Sequence, residues 1–432
     1  MRSAHIKNTV RYYILIVVAL IFLFFSGDFG LIDVQKTALV MAVGIDREEN
    51  TFIVTSQIAI PQSSKQGQAS ETVQLVSRGK TVADAFEEIN AKTGWYPKLV
   101  FCKLLIVGEK TAQENVMDAL DFFLLDEYMS DNCLVATCDG TAKDLLNVTA
   151  LVDPSGSVAM QKVLSQHAER VGTVLPTTLR EFSIGYFSDS KSGYMPILKT
   201  QPQQEQIGSD TGGSTAEGES GGSSNSQSQG GQSGGQSGEQ SQNGQSSGQS
   251  GEQSQGGQKK EQEKPVFSAG ETALFVDGKR VDKFTVEETF AFNAVKHELK
   301  LASYSIEEQD TACTLSIKHN GRKNKVVLGA DGRATMQIKL TLTAGLLDNS
   351  KALPLDGLGD GGDIPNGAFE SAEKLLTAQI TSAFEKSRTC GCDIFGIGEN
   401  LQKYQSKRYK KVQATALSNA LVDIKVTFRS VR

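Results

Sequence analysis

The sequence predicts an α+β protein: several extracytoplasmic domains of mixed β-sheets with packed helices, preceded by one N-terminal signal-anchor helix. Three observations carry this reading. β-rich runs alternate with amphipathic helical stretches, a Gly/Ser/Gln-rich segment interrupts them, and an uncharged apolar run stands near the N-terminus. With 432 residues and 39% hydrophobic content the chain can bury more than one core, so two or three domains plus an unfolded part are expected.

The apolar run comes first. Tyr12 to Gly27 carries no charge; Arg2, Lys7 and Arg11 precede it, and Asp28 and Asp33 follow. By the positive-inside rule the N-terminus stays in the cytoplasm and everything from Asp28 onward lies outside. A helix through the run reaches about 24 Å, short of a roughly 30 Å hydrocarbon core, so hydropathy leaves signal peptide and anchor both open. Cleavage chemistry favours the anchor: signal peptidase requires small residues in an A-x-A-like pattern, and Phe25-Ser26-Gly27 puts a bulky ring there. Residues 1–27 therefore read as a cytoplasmic N-terminus and a retained signal-anchor helix.

The first α+β domain is expected over 28–150. "KTALVMAVGID" and "TFIVTSQIAI", separated by polar "REEN", read as a hairpin with a loop longer than the tightest turns, and "ETVQLVS" as a third strand. In "GKTVADAFEEINAKTG" Thr81 and Asp84 have capping-box spacing, and Val82, Ala85 and Phe86 begin an apolar stripe, which together start a helix. Strand "KLVFCKLLIVGE", helix "ENVMDALDFFLLDEY", strand "CLVATC" and helix "TAKDLLNV" then alternate. A helix "SVAMQKVLSQHAERV" follows, with Met160, Val163, Leu164, His167 and Val171 on one face, which makes His167 a packed core residue rather than a ligand.

From Gly208 to Pro265 there is no large apolar residue, and "QSGEQSQ" occurs twice, from Gln236 and from Gln249. Residues 201–265 are read as a disordered linker or insertion, since such a composition cannot bury a core. Beyond it, "ETALFVDGKRVDKFT" is a hairpin on an Asp277-Gly278 turn, and Thr285 with Glu288 makes a second capping box opening the helix "VEETFAFNAVKHEL". Strands follow at "TACTLSIKHN", "KVVLGA" and "RATMQIKLTLTAGL", with an Asp331-Gly332 turn. A helix "FESAEKLLTAQITSAFEK" and a closing strand "ALVDIKVTF" complete the chain.

Chemistry-bearing patterns are sparse. The net charge of −6 and a pI near 5.5 argue against nucleic-acid binding, and the basic run Lys403 to Lys411 reads as a solvated helix face. Six cysteines in an exported chain invite disulfides. Yet Cys133 and Cys138 sit five apart in one strand on opposite faces, and bridging Cys390 to Cys392 would be strained, so free thiols are expected. His5, His167, His297 and His319 fall in no zinc-protease, nucleophile-elbow or phosphate-loop pattern. Cys313 with His319 lacks two further ligands, and Asp356, Asp360 and Asp363 depart from EF-hand spacing and read as a surface loop. No catalytic, cofactor-binding or metal residue is nominated, and the weight falls on a protein that binds or assembles.

The ordered segments "ALVMAVGIDREENTFIVTSQIA", "GKTVADAFEEIN", "KLVFCKLLIVGEK", "ALDFFLLDEYMSDNCLVATCDGTAKDLL", "GETALFVDGKRVDKFTVEET" and "DIFGIGENLQKYQSKRY" resemble the Ger(x)C family, the C subunits of bacterial spore germinant receptors. The resemblance implies a non-catalytic subunit on the outer face of the spore inner membrane, working with polytopic membrane subunits in the response to small germinants, without a cofactor. It also implies that the strand "GYMPILKT" belongs with "GETALFV", giving a middle domain of 151–200 plus 266–297 and a C-terminal α+β domain over 298–432. The chain departs from the family in one respect: Ser26-Gly27-Asp28 stands where a lipidated cysteine is usual, and no cysteine precedes Cys102. A family-like membrane role then requires the hydrophobic run to be retained. The alternative is an exported envelope enzyme or solute-binding protein.

Overall fold

The computed structural model describes residues 11–22, 37–59, 72–148, 153, 155–165, 170–202, 265–308, 311–350, 364 and 367–431. Helix α1 (11–22) is followed by strands β1 (Thr37–Glu48), β2 (Thr51–Ala59) and β3 (Thr72–Gly79), helix α2 (Val82–Thr93), and strands β4 (Tyr96–Lys98) and β5 (Leu104–Val107). Then come α3 (Glu109–Gln113), α4 (Met117–Leu125), β6 (Leu134–Cys138), α5 (Ala142–Leu146), α6 (Gly156–Val163) and α7 (Leu179–Phe187). Strands β7 (Ser192–Gln201), β8 (Val266–Val276) and β9 (Lys279–Phe284) lead into α8 (Val286–Lys296). The chain continues with β10 (Ala302–Glu308), β11 (Thr311–Leu328), β12 (Ala334–Asn349), α9 (Ala368–Cys390), α10 (Ile397–Val412) and β13 (Leu421–Ser430).

Strands β1 to β9 form one mixed sheet in the order β3-β2-β1-β5-β6-β7-β8-β9, with β4 beside the start of β1. Its centre, β1, β5, β6 and β7, is parallel, and antiparallel hairpins flank it on both sides. Central strand β5 is buried at all four residues because helices cover both faces, the condition under which a strand reads as an unbroken apolar run. Leu105 and Val107 join Phe86, Ile89 and Phe123 of α2 and α4, whereas Leu104 and Ile106 join Leu145, Leu146 and Met160 of α5 and α6. The two-residue period of a strand thus feeds two separate cores.

Local signals hold where side chains act on their own backbone. Thr81 and Asp84 cap α2 reciprocally, as do Thr285 and Glu288 for α8. Asp277 (φ 50°) and Gly278 (φ 77°) make the tight β8–β9 turn. Other expectations are corrected. The first hairpin closes on two residues, Glu49-Asn50, with Glu49 taking the left-handed angle (φ 51°). The run 98–109 is not one strand but β4, a single 3₁₀ turn at Leu99–Phe101, and β5. The helix expected over 114–128 is confined to α4, with the short α3 before it; of the helix expected over 157–171, α6 ends at Val163 with Leu164 as its cap, and 170–171 are again helical. His167 lies outside the described residues.

The second sheet runs β10-β11-β12-β13, antiparallel except that β13 lies parallel to β12. The runs 311–320 and 325–330 belong to one strand, β11, and β10 carried no separate signal. Helix α9 lays Ala372, Leu376, Ile380 and Phe384 on this sheet, and the rings of Phe290, Tyr304, Phe428 and Phe369 stack in sequence with centroids 5.2 to 6.2 Å apart.

Helix α8 joins the two sheets and is buried at every position from Glu288 to Val295. Its polar groups are met by neighbours. Glu288 accepts from Ser382 Oγ at 2.7 Å and from Lys386 Nζ at 2.5 Å, so burial, which alone would raise its carboxyl, is outweighed and the group sits below its usual range. Asn320 of β11 donates to the carbonyls of Ala294 (2.8 Å) and His297 (3.0 Å) and accepts from the Leu299 N–H (2.7 Å), while Asn324 donates to Val295 O at 2.8 Å. These are the carbonyls that a helix end leaves without partners.

Among the described residues no helix is long and apolar enough to cross a membrane. The described part of the expected anchor, 11–22, is helical and exposed along its length, about 18 Å of helix. Residues 203–264 lie outside the described residues, but their roots do not: Gln201 pairs with Val266 at the open end of the β7–β8 ladder. Replacing 203–264 by a short turn is therefore expected to leave the fold intact and the melting temperature unchanged or raised, since loop-closure cost grows only logarithmically with length. Thermal unfolding of the full-length and shortened chains checks this.

Candidate functional site

The feature best suited to bind something is a cleft of about 690 Å³ where the first sheet meets the C-terminal helices. One wall is α7 and the turn leading to β7; the other is the end of α8, the loop 391–398 and the start of α10. Thr178 and Glu181 fix the start of α7 by a reciprocal capping box. Ser188, Ser190 and Ser192 spend their hydroxyls on one another and on the carbonyls of Gly185 and Ser190, which shapes the turn and leaves no activated nucleophile.

Asp393 organises the opposite wall. Its Oδ1 accepts the Ile397 N–H at 2.8 Å and its Oδ2 the Gly398 N–H at 2.7 Å, closing the first turn of α10, while its own N–H donates to Ser192 Oγ at 2.8 Å across the junction. Burial raises its carboxyl, the backbone donors pull the other way, and burial wins, leaving the group at about 6. Gly398 is required by space rather than by backbone angle: a Cβ there would lie 2.9 Å from Tyr409 Oη and 3.1 Å from Asp393 Oδ2. Burial and the Asp393 and Asp189 carboxylates push the Tyr409 hydroxyl up as well.

Gln402 Nε2 donates to Asp189 Oδ2 at 2.9 Å and ties the two walls. Lys296 donates to Tyr194 Oη at 2.9 Å, and its ammonium stands 4.4 Å from that ring's centroid. The cleft thus offers the carboxyls of Glu181, Asp189, Asp393 and Glu399 against one lysine, a lining that suits a ligand group rich in N–H donors. No nucleophile stands beside a base among the cleft's described residues.

The sequence nominated none of these residues. The Thr178/Glu181 capping spacing was legible, but the juxtaposition of 189, 393 and 402 depends on tertiary contacts between distant segments. The pairs considered and set aside do not assemble. Cys313 is buried while His319 is exposed on the same strand, because a register shift between Ile317 and His319 reverses the facing. Asp356, Asp360 and Asp363 lie outside the described residues, and among the described residues no group of metal-ligating side chains converges. The basic residues of 403–411 face solvent on α10.

All six cysteines are free thiols. Cys102 and Cys133 adjoin in the first core, and the Cys102 thiol together with burial pushes Cys133 up. Burial does the same to Cys138. Cys392 is buried against the carbonyls of Phe275 (3.2 Å) and Gly193 (3.5 Å), and its hydrogen bond to Cys390 lowers the Cys390 thiol.

Two outcomes follow from this geometry. A thiol reagent is expected to label Cys390 first in the native protein, as the one cysteine not fully buried, and all six after denaturation; peptide mapping reads the difference. Asp393 holds its proton in the fold between its ordinary value of 3.8 and about 6, so its contribution is complete below 3.8 and is lost as pH rises through about 6. Raising the pH from about 4 to about 7 should therefore lower the stability of the parent relative to Asp393→Asn by up to about 3 kcal/mol, read from denaturant midpoints.

Comparison with known proteins agrees with the reading by segments. The family model described as "Spore germination protein N-terminal domain" matches residues 31–200, and "Spore germination B3/ GerAC like, C-terminal" matches residues 270–432. No curated protein matches. A solved structure, "Crystal Structure of the GerBC protein", aligns at a TM-score of 0.48 with 13% identity, covering 90% of this chain and 97% of that one. The two matched stretches together take in about three quarters of the chain and leave out the 203–264 insertion: the protein belongs to the Ger(x)C family of spore germination proteins.

Proposed function

We propose that the chain is a non-catalytic, membrane-held subunit of a spore germinant receptor, with its folded part outside the membrane and its partners the polytopic receptor subunits. The observation that carries this is the pair of family matches, which fall on both sides of the insertion and in family order. Anchoring rests on the sequence: the uncharged run from Tyr12 to Gly27, basic residues before it and acidic ones after it. The non-catalytic part of the proposal rests on the family membership alone.

The cleft is also the one observation that favours a second reading, an exported solute-binding protein, since four carboxyls around a cavity suit a small amine or ammonium ligand. One experiment separates the two: mass spectrometry of what co-purifies with the chain from detergent-solubilised spore membranes at natural expression. Recovery of polytopic receptor subunits is expected. Recovery of the chain alone, together with calorimetric binding of a small cationic solute that Asp189→Asn weakens, would replace the receptor reading with the second.

A further inference from the structure

Among the described residues, a group of exposed apolar side chains outside α1 lies far from the cleft in sequence. It is made by Trp95, Tyr96, Val100 and Phe101, around β4 and the turn after it, and by Leu125 and Tyr128 beyond α4. Leu125 is 84% exposed and Tyr128 51%, values a soluble face would not maintain beside four further exposed apolar side chains. The two stretches are joined: the Lys98 ammonium sits 4.5 Å over the Tyr128 ring.

The position of the patch is set by the topology. β4 lies parallel to the first residues of β1, with Thr37 opposite Tyr96 and Ala38 opposite Pro97, so the patch flanks the point at which the chain enters the first sheet. The described part of α1 reaches residue 22, and a chain of the 14 residues 23–36 can span at most about 50 Å. Whatever holds the apolar run therefore lies within reach of the patch.

We propose that this patch rests in the interfacial layer of the lipid bilayer that carries the N-terminal segment, an inference that depends on the anchoring proposed above. Trp95, Tyr96 and Tyr128 are rings with one polar end, the side chains that settle at the headgroup level, and Phe101 and Leu125 supply apolar area beneath them. The charges nearby in sequence are mixed, Lys92, Lys98 and Lys103 against Asp121, Asp126 and Glu127, so the attachment is by insertion of rings rather than by attraction to anionic lipid. The first sheet is thereby held with its β4 end against the membrane, and the chain has two points of membrane contact instead of one.

Trp95 is the only tryptophan in the chain, so its fluorescence reports the patch alone. The test is the full chain reconstituted into phosphatidylcholine vesicles, with and without brominated acyl chains, and followed by flotation, lipid quenching and acrylamide quenching. Flotation together with loss of Trp95 emission in the brominated vesicles, and protection from acrylamide, is the expected result. The double variant Phe101→Ser/Leu125→Ser should still float, with unchanged circular dichroism, but lose the lipid quenching. A chain that floats while Trp95 stays unquenched by lipid and open to acrylamide overturns the patch inference and leaves anchoring standing. A chain that does not float overturns anchoring, and the inference with it. Trp95 that becomes protected only when polytopic subunits are added would reassign the patch to a protein contact and overturn the lipid one.

Discussion

The structure depends on one buried helix. α8 has no solvent face to absorb its polar groups, so each must be answered from a neighbour: Thr285 and Glu288 at its start, Asn320 and Asn324 of β11 at its end, and Asn293 donating to Val174 O at 3.1 Å along its side. A buried polar group without a partner costs about 1 to 3 kcal/mol, so each sheet stabilises the helix only when the other is in place. The two sheets consequently belong to one compact unit, joined by the helix that follows β9.

The same dependence explains what could and could not be read from the sequence. The capping boxes at 81/84 and 285/288 and the Asp277-Gly278 turn were legible because each is decided within four residues. The apolar stripe of α9 was legible because the helix buries one face and leaves the other to solvent, so its period survives. Helix α8 has weaker periodicity to offer, being buried all round, and its start was found from its cap rather than its pattern. The run 98–109 misled because β4 and β5 both pair with β1, and the 3₁₀ turn between them is imposed by that pairing rather than by composition. The Glu49-Asn50 turn was missed because it takes a left-handed angle at a glutamate, which no turn rule favours.

The cleft was invisible for a different reason. Its residues come from three stretches, 177–194, 296–297 and 393–409, none of which carries a ligand-binding motif of its own. What brings them together is the Asp393 main chain reaching Ser192 and the Gln402 side chain reaching Asp189, contacts across about two hundred residues. Family resemblance supplied the class of protein from segment order, and one of its segments, 393–409, lines this cleft, but it assigned no role to any residue there.

Glu288 and Asp393 are both buried carboxyls at the junction of the two sheets, and they answer acidity in opposite senses. Glu288, held ionised by Lys386 and Ser382, supports the fold above its ordinary value of 4.5 and ceases to as the pH falls through its lowered one. Asp393 supports it in the protonated form, and less so as the solution approaches neutrality. No single pH satisfies both completely, and the closest compromise falls in mild acid. At neutral pH the ionised Asp393 is therefore held in its buried place by the Ile397 and Gly398 N–H groups, the cost of a turn that closes on a carboxylate.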